Sequence, residues 1–469
     1  MMSSEDSPAK MPVTVISDSI AVSMETNRNI EEAHNIILPI SGATSPTDDA
    51  ILSLDSSLLA SLRGDDDFNL DTKDLIVKVD NPEKHSGAMD SYITFRICTK
   101  TNRPDFDNHE FSVRRRYSDF LWLRSRLEAQ HPTHLIPPLP EKHSFNRLSR
   151  FTPNFIKARM NALNKFLLRI TDHPVLSFSD NLKVFITLEA WEFAAHRKQG
   201  TSLISRFSES FHNMAATYMM KDRSPEYEDM SVYINRLGEK IGVLERISQR
   251  IQKEQQEYVA ELDEFHPVLS LWSGSESKLQ KGMVALATAV AKCSEAQKDM
   301  IEENELKLCG SLREYSLYAD AIKEVLKRRD AIQIEYGLTI EELNRRKTDR
   351  DQLAENESAG YVGSFLGKNS DEAKQDKREK LNQIIEELIG QVEVNNDKVE
   401  VANEDLKADM ERWQNTKEKD FKAIYSNLAN KQINYYQNCL SYWEEAINEV
   451  KNSDLPDNQQ LDEEGNDII

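Results

Sequence analysis

Within Arg114-Arg115-Arg116-Tyr117-Ser118-Asp119-Phe120-Leu121-Trp122-Leu123 the periodicity of the chain changes. Just upstream, Glu110-Phe111-Ser112-Val113 alternates polar and apolar residues and predicts a strand running into the arginines. Downstream, Phe120, Leu123 and Leu127 recur at helical spacing. A strand therefore hands over to a helix at a concentration of positive charge. Working outward, Leu75-Ile76-Val77-Lys78-Val79 and Tyr92-Ile93-Thr94-Phe95-Arg96-Ile97 predict two earlier strands, with turn formers at Asn81-Pro82 and Asn102-Arg103-Pro104. A stiff Pro137-Pro138-Leu139-Pro140 bend separates the first helix from a second through Phe155, Leu163, Phe166, Leu167 and Ile170. Residues 71–196 thus predict a compact α+β domain, a small antiparallel sheet plus helices.

The C-terminal half has a different texture. Residues 226–452 hold a single proline, Pro267, and apolar residues spaced by three and four. One series runs from Met230 through Leu244, Ile251 and Tyr258 to Phe265, a second from Leu279 to Leu326, and a third from Leu381 to Tyr435. Breaks at Trp272-Ser273-Gly274-Ser275 and around Gly360-Tyr361-Val362-Gly363 divide this into three long helices, the middle one about 80 residues or roughly 120 Å. No globular core covers a helix of that length, so it must lie against its neighbours and against a partner chain. An elongated dimer is the expectation.

Charge excludes some functions. The 469 residues carry a net charge of −21, with 39% hydrophobic and 30% charged, so no basic footprint for nucleic acid exists overall. Residues 1–70 hold twelve acidic against three basic residues and predict a disordered acidic tail; residues 453–469 predict a second acidic tail. No apolar run is long enough to span a bilayer and the N-terminus lacks a signal-peptide pattern, so a cytoplasmic location is the expectation. Cys98, Cys293, Cys309 and Cys439 form no C-x-x-C pair, and His131-x-x-His134 has no carboxylates at matching spacing, so neither a metal site nor a cofactor is expected. Nucleotide-binding glycine loops and G-x-S-x-G are absent from the sequence, and no enzymatic activity is expected.

Against this acidic background residues 111–169 stand out, with twelve Lys and Arg against three acids. The three segments carrying that charge, Arg116-Tyr117-Ser118-Asp119-Phe120, Pro137-Pro138-Leu139-Pro140-Glu141-Lys142 and Phe155-Ile156-Lys157-Ala158-Arg159-Met160-Asn161-Ala162-Leu163, resemble in order and content the phosphoinositide signature of a PX domain. With the three-helix half, residues 71–452 resemble a PX-BAR sorting nexin, and the run from Arg114 to Leu123, with His173-Pro174 and Ala190-Trp191-Glu192, looks closest to the sorting nexin seven/thirty branch. The resemblance implies an all-α BAR domain over 226–452. It also implies that Arg116 pairs with the 3-phosphate of phosphatidylinositol 3-phosphate, supported by Ser118, while Tyr117 packs on the inositol ring, Lys142 meets the 1-phosphate and Arg159 binds ring hydroxyls. Ser118 departs from the larger polar residue many PX domains carry there. The physical chemistry agrees: arginine offers a bidentate fork to phosphate and lysine a mobile point charge.

Membrane contact has further candidates. Phe145, Leu148 and Phe151 flank the proline loop and could insert between lipids or pack the domain. In the linker 197–225, Leu203, Phe207, Phe211, Met214 and Tyr218 form one face of an amphipathic helix that suits a bilayer surface or an intramolecular contact. Residues 345–380, around the expected helix tip, hold nine basic against eight acidic residues, so charge there adds little. Lys327-Arg328-Arg329 reads as a surface salt-bridge face. The resemblance implies a peripheral protein on the cytosolic face of early or recycling endosomes, serving cargo sorting, recycling and autophagy-related traffic, as a homodimer or with a PX-BAR sorting nexin of the four type. The other reading is a coiled-coil scaffold or tether whose small domain binds a protein.

Overall fold

Strand alternation builds the small sheet. In the computed structural model, which describes residues 73–86, 91–142, 151–199, 224–359 and 369–453, β1 (Leu75–Ser86) buries Leu75, Val77 and Val79. β2 (Ser91–Thr101) buries Phe95 and Ile97, and β3 (Glu110–Arg116) buries Val113 and Arg115. The order is β1-β2-β3, all antiparallel, with Ile97 facing Val79 on one side and Val113 on the other. β1 runs past its expected end because pairing resumes beyond a bulge between Asp80 and Glu83, as far as Ser86 opposite Ser91, and β2 continues past Ile97 to Thr101 opposite Leu75. Asn81 takes φ of 42° there, the left-handed region asparagine tolerates better than most side chains.

Among the described residues four α-helices close the domain: α1 (Tyr117–Gln130), α2 (Pro153–Thr171), α3 (Asp180–Thr187) and α4 (Ala190–Gln199). Phe120, Leu123 and Leu127 of α1 are fully buried, as are Leu163 and Ile170 of α2 and Phe185 of α3. Phe120 meets Phe185 edge-on at 5.0 Å and Phe166 at 6.3 Å, the arrangement the ring quadrupole favours.

Three long helices follow. α5 (Pro225–Ser273) is one helix of 49 residues. α6 (Gln280–Asn304), a single π turn (Glu305–Cys309) and α7 (Gly310–Ala359) join into one continuous helix, and α8 (Asn369–Ser453) adds 85 residues. Ile234 and Ile241 of α5, Tyr315, Ala319 and Ile322 of α7, and Leu406 and Trp413 of α8 share one core. Further along, Ile332 packs with Val399 and Ala402, then Leu343 with Leu381 and Ile385. None of the described helices is long and apolar enough to cross a membrane. The expected face Leu203, Phe207, Phe211, Met214 and Tyr218, together with Phe145, Leu148, residues 1–72 and residues 454–469, lies outside the described residues.

The small domain is bolted to the long helices rather than strung beside them. On α2, Lys157 pairs with Glu302 at 2.7 Å and Lys165 with Glu314 at 3.3 Å. Arg169 reaches both Glu314 and Asp420. Burial alone would lower the Arg169 pKa, but Glu314, with Tyr318, Asp420 and Tyr315 after it, reverses the sign and holds it well above its ordinary value. A second joint forms around Asp409 of α8, which accepts from His134, from His173 at 2.8 Å and from the Leu135 backbone N–H at 2.7 Å. Burial pushes the Asp409 carboxyl up, yet these hydrogen bonds prevail and hold it well below the usual carboxylate range. The backbone N–H groups of Val175 and Leu176 both donate to His173 Nδ1, so its proton sits on Nε2 and points at Asp409. His134, His173 and Asp409 could hold a metal by distance alone, but this hydrogen-bond pattern already engages the imidazole of His173 through both nitrogens.

Candidate functional site

Strand alternation turns Arg115 to one face of the sheet and Arg114 and Arg116 to the other. Arg115 follows Val113 inward and is 1% exposed. It donates to the carbonyls of Phe185 and Leu188, and its guanidinium lies 4.3 Å from the Phe193 ring centre. Burial pulls its pKa down to about 10. Arg114 is occupied by Thr94, by the Asn81 carbonyl at 2.9 Å and by Glu83 at 3.0 Å. Arg116 alone of the three leaves its side chain about half exposed, at 48%.

Arg116 caps α1. Its backbone N–H donates to Asp119 Oδ2 at 3.0 Å while its Nε stays 3.6 Å from Asp119 Oδ1, and its guanidinium lies 5.9 Å from the Tyr92 ring centre. The next residue, Tyr117, donates its hydroxyl to the Pro140 carbonyl, which fastens the proline loop to the helix start. Burial pushes the Tyr117 hydroxyl up from its ordinary value, so it stays a donor. The loop is held from beneath by buried Leu135, Ile136 and Leu139 and by Arg124, which donates to the Pro137 carbonyl. Arg159 lies between two rings, 4.3 Å from the centre of Tyr117 and 4.4 Å from that of Phe155, and donates to the Glu141 carbonyl at 3.0 Å. Lys142 is exposed at the end of the loop. Ser118 Oγ is buried with no hydrogen-bond partner among the described residues, an atom with capacity for a ligand.

The structure thus packs Arg159 on Tyr117 where α1 begins, with Arg116 and Ser118 on either side of Tyr117 in the chain and Lys142 at the end of the proline loop. Phe151, expected as a membrane contact, is half-buried with the Lys84 ammonium 5.5 Å from its ring centre. The local excess of basic residues is not all available to a ligand. Lys157, Lys165 and Arg169 are committed to the long helices, and Arg115 to the core. The expected surface role of Lys327-Arg328-Arg329 also needs correcting. Lys327 does pair with Glu324, but Arg328 donates to the Pro132 carbonyl at 2.7 Å across the domain joint. Arg329 is 4% exposed, 4.0 Å from the Tyr227 ring centre, bonded to Asn403.

Asp119, part of the first motif segment, makes two contacts that the sequence reading did not assign. Asp119 is nearly buried and faces Arg116, and Arg197 of α4 donates to Asp119 Oδ1 at 2.8 Å. Capping explains Asp119, but nothing in the sequence joins it to a residue 78 positions away.

The long helices carry a second surface. Leu244, Ile251, Tyr258, Phe265 and Trp272 recur every seven residues along α5, each between 46% and 55% exposed. On α8, Ile433, Tyr436, Leu440, Trp443, Ile447 and Val450 alternate spacings of three and four, each at least 40% exposed. A seven-residue apolar repeat is the seam one helix offers another.

Residues 103–189 match the PX domain family, and residues 200–449 match the family described as Vps5 C terminal like. The chain is 41% identical to sorting nexin-30 of Homo sapiens over 414 residues, 88% of this chain and 86% of that one. It is 39% identical to sorting nexin-7 of Homo sapiens over 387 residues, 82% of this chain and 91% of that one. Among solved structures, that of the SNX-BAR Mvp1 tetramer by cryo-EM is similar, with a TM-score of 0.57 at 18% identity, covering 79% of this chain and 99% of its own; at that identity the likeness is one of fold.

Proposed function

The chain belongs to the PX-BAR sorting nexins, in the branch of sorting nexin-7 and sorting nexin-30, and from that premise we propose that it binds phosphatidylinositol 3-phosphate on endosomal membranes through the pocket at the start of α1. The carrying observation is a half-exposed Arg116 guanidinium at the start of the helix together with a Ser118 Oγ, two residues on, that is buried and unpartnered among the described residues. A phosphate supplies what both lack, acceptors for the arginine fork and a partner for the buried hydroxyl. In this reading Tyr117 and Arg159 face the inositol, Lys142 meets the 1-phosphate, and Phe151 approaches the lipid surface with Phe145 and Leu148. The linker face from Leu203 to Tyr218 lies along the bilayer.

The repeats on α5 and α8 support dimerisation, and the family resemblance points to a second copy or a PX-BAR sorting nexin of the four type as the partner. The dimer presents two headgroup pockets, and their joint engagement favours membrane whose curvature lets both reach lipid. Such a protein sits peripherally on early or recycling endosomes and serves cargo sorting, recycling and autophagy-related traffic. Liposome co-sedimentation with and without phosphatidylinositol 3-phosphate, on vesicles of two diameters, tests this. Lipid-dependent binding that Arg116→Ala abolishes and that is stronger on small vesicles is expected. Binding indifferent to both the lipid and the substitution would overturn it in favour of a scaffold whose small domain takes a protein.

A further inference from the structure

The side chain that sets how freely Arg116 can meet a phosphate is Asp119. Its carboxylate accepts the Arg116 backbone N–H through Oδ2 and stands 3.6 Å from Arg116 Nε through Oδ1. A carboxylate so placed competes with a phosphate for the same guanidinium, because each offers two acceptor oxygens to one fork. Left to itself, a nearly buried Asp119 would draw Arg116 in fully, since a charge taken out of water must find a counter-charge. It is not left to itself. Arg197, 36% exposed in the last turn of α4, donates to Asp119 Oδ1 at 2.8 Å, well inside the Arg116 distance. Arg115 also faces Asp119 electrostatically, but its hydrogen bonds go to the Phe185 and Leu188 carbonyls and its side chain is held in the core.

We infer that Arg197 is a positioning residue of the headgroup site: by taking up the charge of Asp119 it leaves the Arg116 guanidinium loosely held and available to the lipid phosphate. The inference rests on the headgroup reading above and adds a residue outside the three motif segments. It also places a determinant of lipid affinity two residues before the end of α4, where the chain passes to residues 200–223. The guanidinium of Arg197 acts here through Asp119 and needs no contact with the ligand.

The full chain is assayed by co-sedimentation on phosphatidylcholine vesicles with and without phosphatidylinositol 3-phosphate, with melting temperature measured in parallel. Arg197→Ala is expected to weaken lipid-dependent binding about fivefold, the scale of one charge-assisted contact at a partly exposed site. Arg197→Lys should recover most of that loss. The decisive arm is Asp119→Asn, which keeps an oxygen for the Arg116 N–H but removes the charge; in that background Arg197→Ala should have no further effect on binding. A purely structural role predicts instead that Arg197→Ala costs as much in the Asp119→Asn background as in the wild type, and that result overturns the inference. Lipid-dependent wild-type binding with Arg197→Ala indistinguishable from it overturns the inference alone. Wild-type binding that ignores the lipid overturns the headgroup reading, and this inference with it.

Discussion

Arg115 and Arg116 are neighbours with opposite fates, and the difference is one of strand parity. Arg115→Ala leaves the Phe185 and Leu188 carbonyls without donors and opens a cavity beside Phe193, so it should destabilise the fold by about 3 kcal/mol, read as a lower midpoint in denaturant. Arg116→Ala should leave that midpoint within about 0.5 kcal/mol while removing lipid binding, because its side chain is half exposed. A variant pair in which both properties fall together at both positions would contradict this division. The parity was legible in advance, since Val113 inward forces Arg115 inward. The unpartnered Ser118 hydroxyl and the Arg197 contact were not, because both depend on distances between segments far apart in the chain.

At the scale of elements, α2 shows what periodicity gives and what it withholds. Lys157, Lys165 and Arg169 fall on one row at multiples of four, whereas Arg159 is two residues off that row, so two basic faces could be separated by counting. That one row meets Glu302, Glu314 and Asp420 follows from the docking of two domains, which no local pattern encodes. The joint around Asp409 has the same origin: His131-x-x-His134 drew notice, but its histidine partner lies beyond α2 and its carboxylate on α8. Asp409→Ala strands the imidazoles and the Leu135 N–H and should cost about 3 kcal/mol at neutral pH. The sign of its pH dependence is set by the depressed carboxyl. The stabilisation is complete above the unfolded aspartate range near pH 4 and is lost as pH falls towards the lower folded value. Denaturation of wild type and variant from pH 7.5 downward should therefore show a constant gap to about pH 5 that narrows below about pH 4. A gap that widens in acid would refute the assignment.

For the whole molecule, three long helices were plain from spacing alone, while the division of their apolar residues between inside and outside was not. Leu244, Ile251, Tyr258 and Phe265 continue the stripe that Ile234 and Ile241 begin, yet the first four are exposed and the last two buried. On the proposed dimer, Leu440→Glu, placed in the α8 repeat at 59% exposure, should leave helicity intact, yield a monomer by sedimentation velocity and remove any preference for small vesicles. An unchanged dimer would move the interface elsewhere. The π turn at Glu305–Cys309 lies between Glu302 and Glu314, two points at which the long helix receives α2. A π turn absorbs one surplus residue without rotating the helix beyond it. Length tolerance along this helix should accordingly be uneven: deleting one residue within 305–309 restores a regular helix and keeps both acids beneath α2, whereas the same deletion at Asp320 swings every later side chain by about 100°. The first shortened chain should express and melt as a soluble protein, and the second should not.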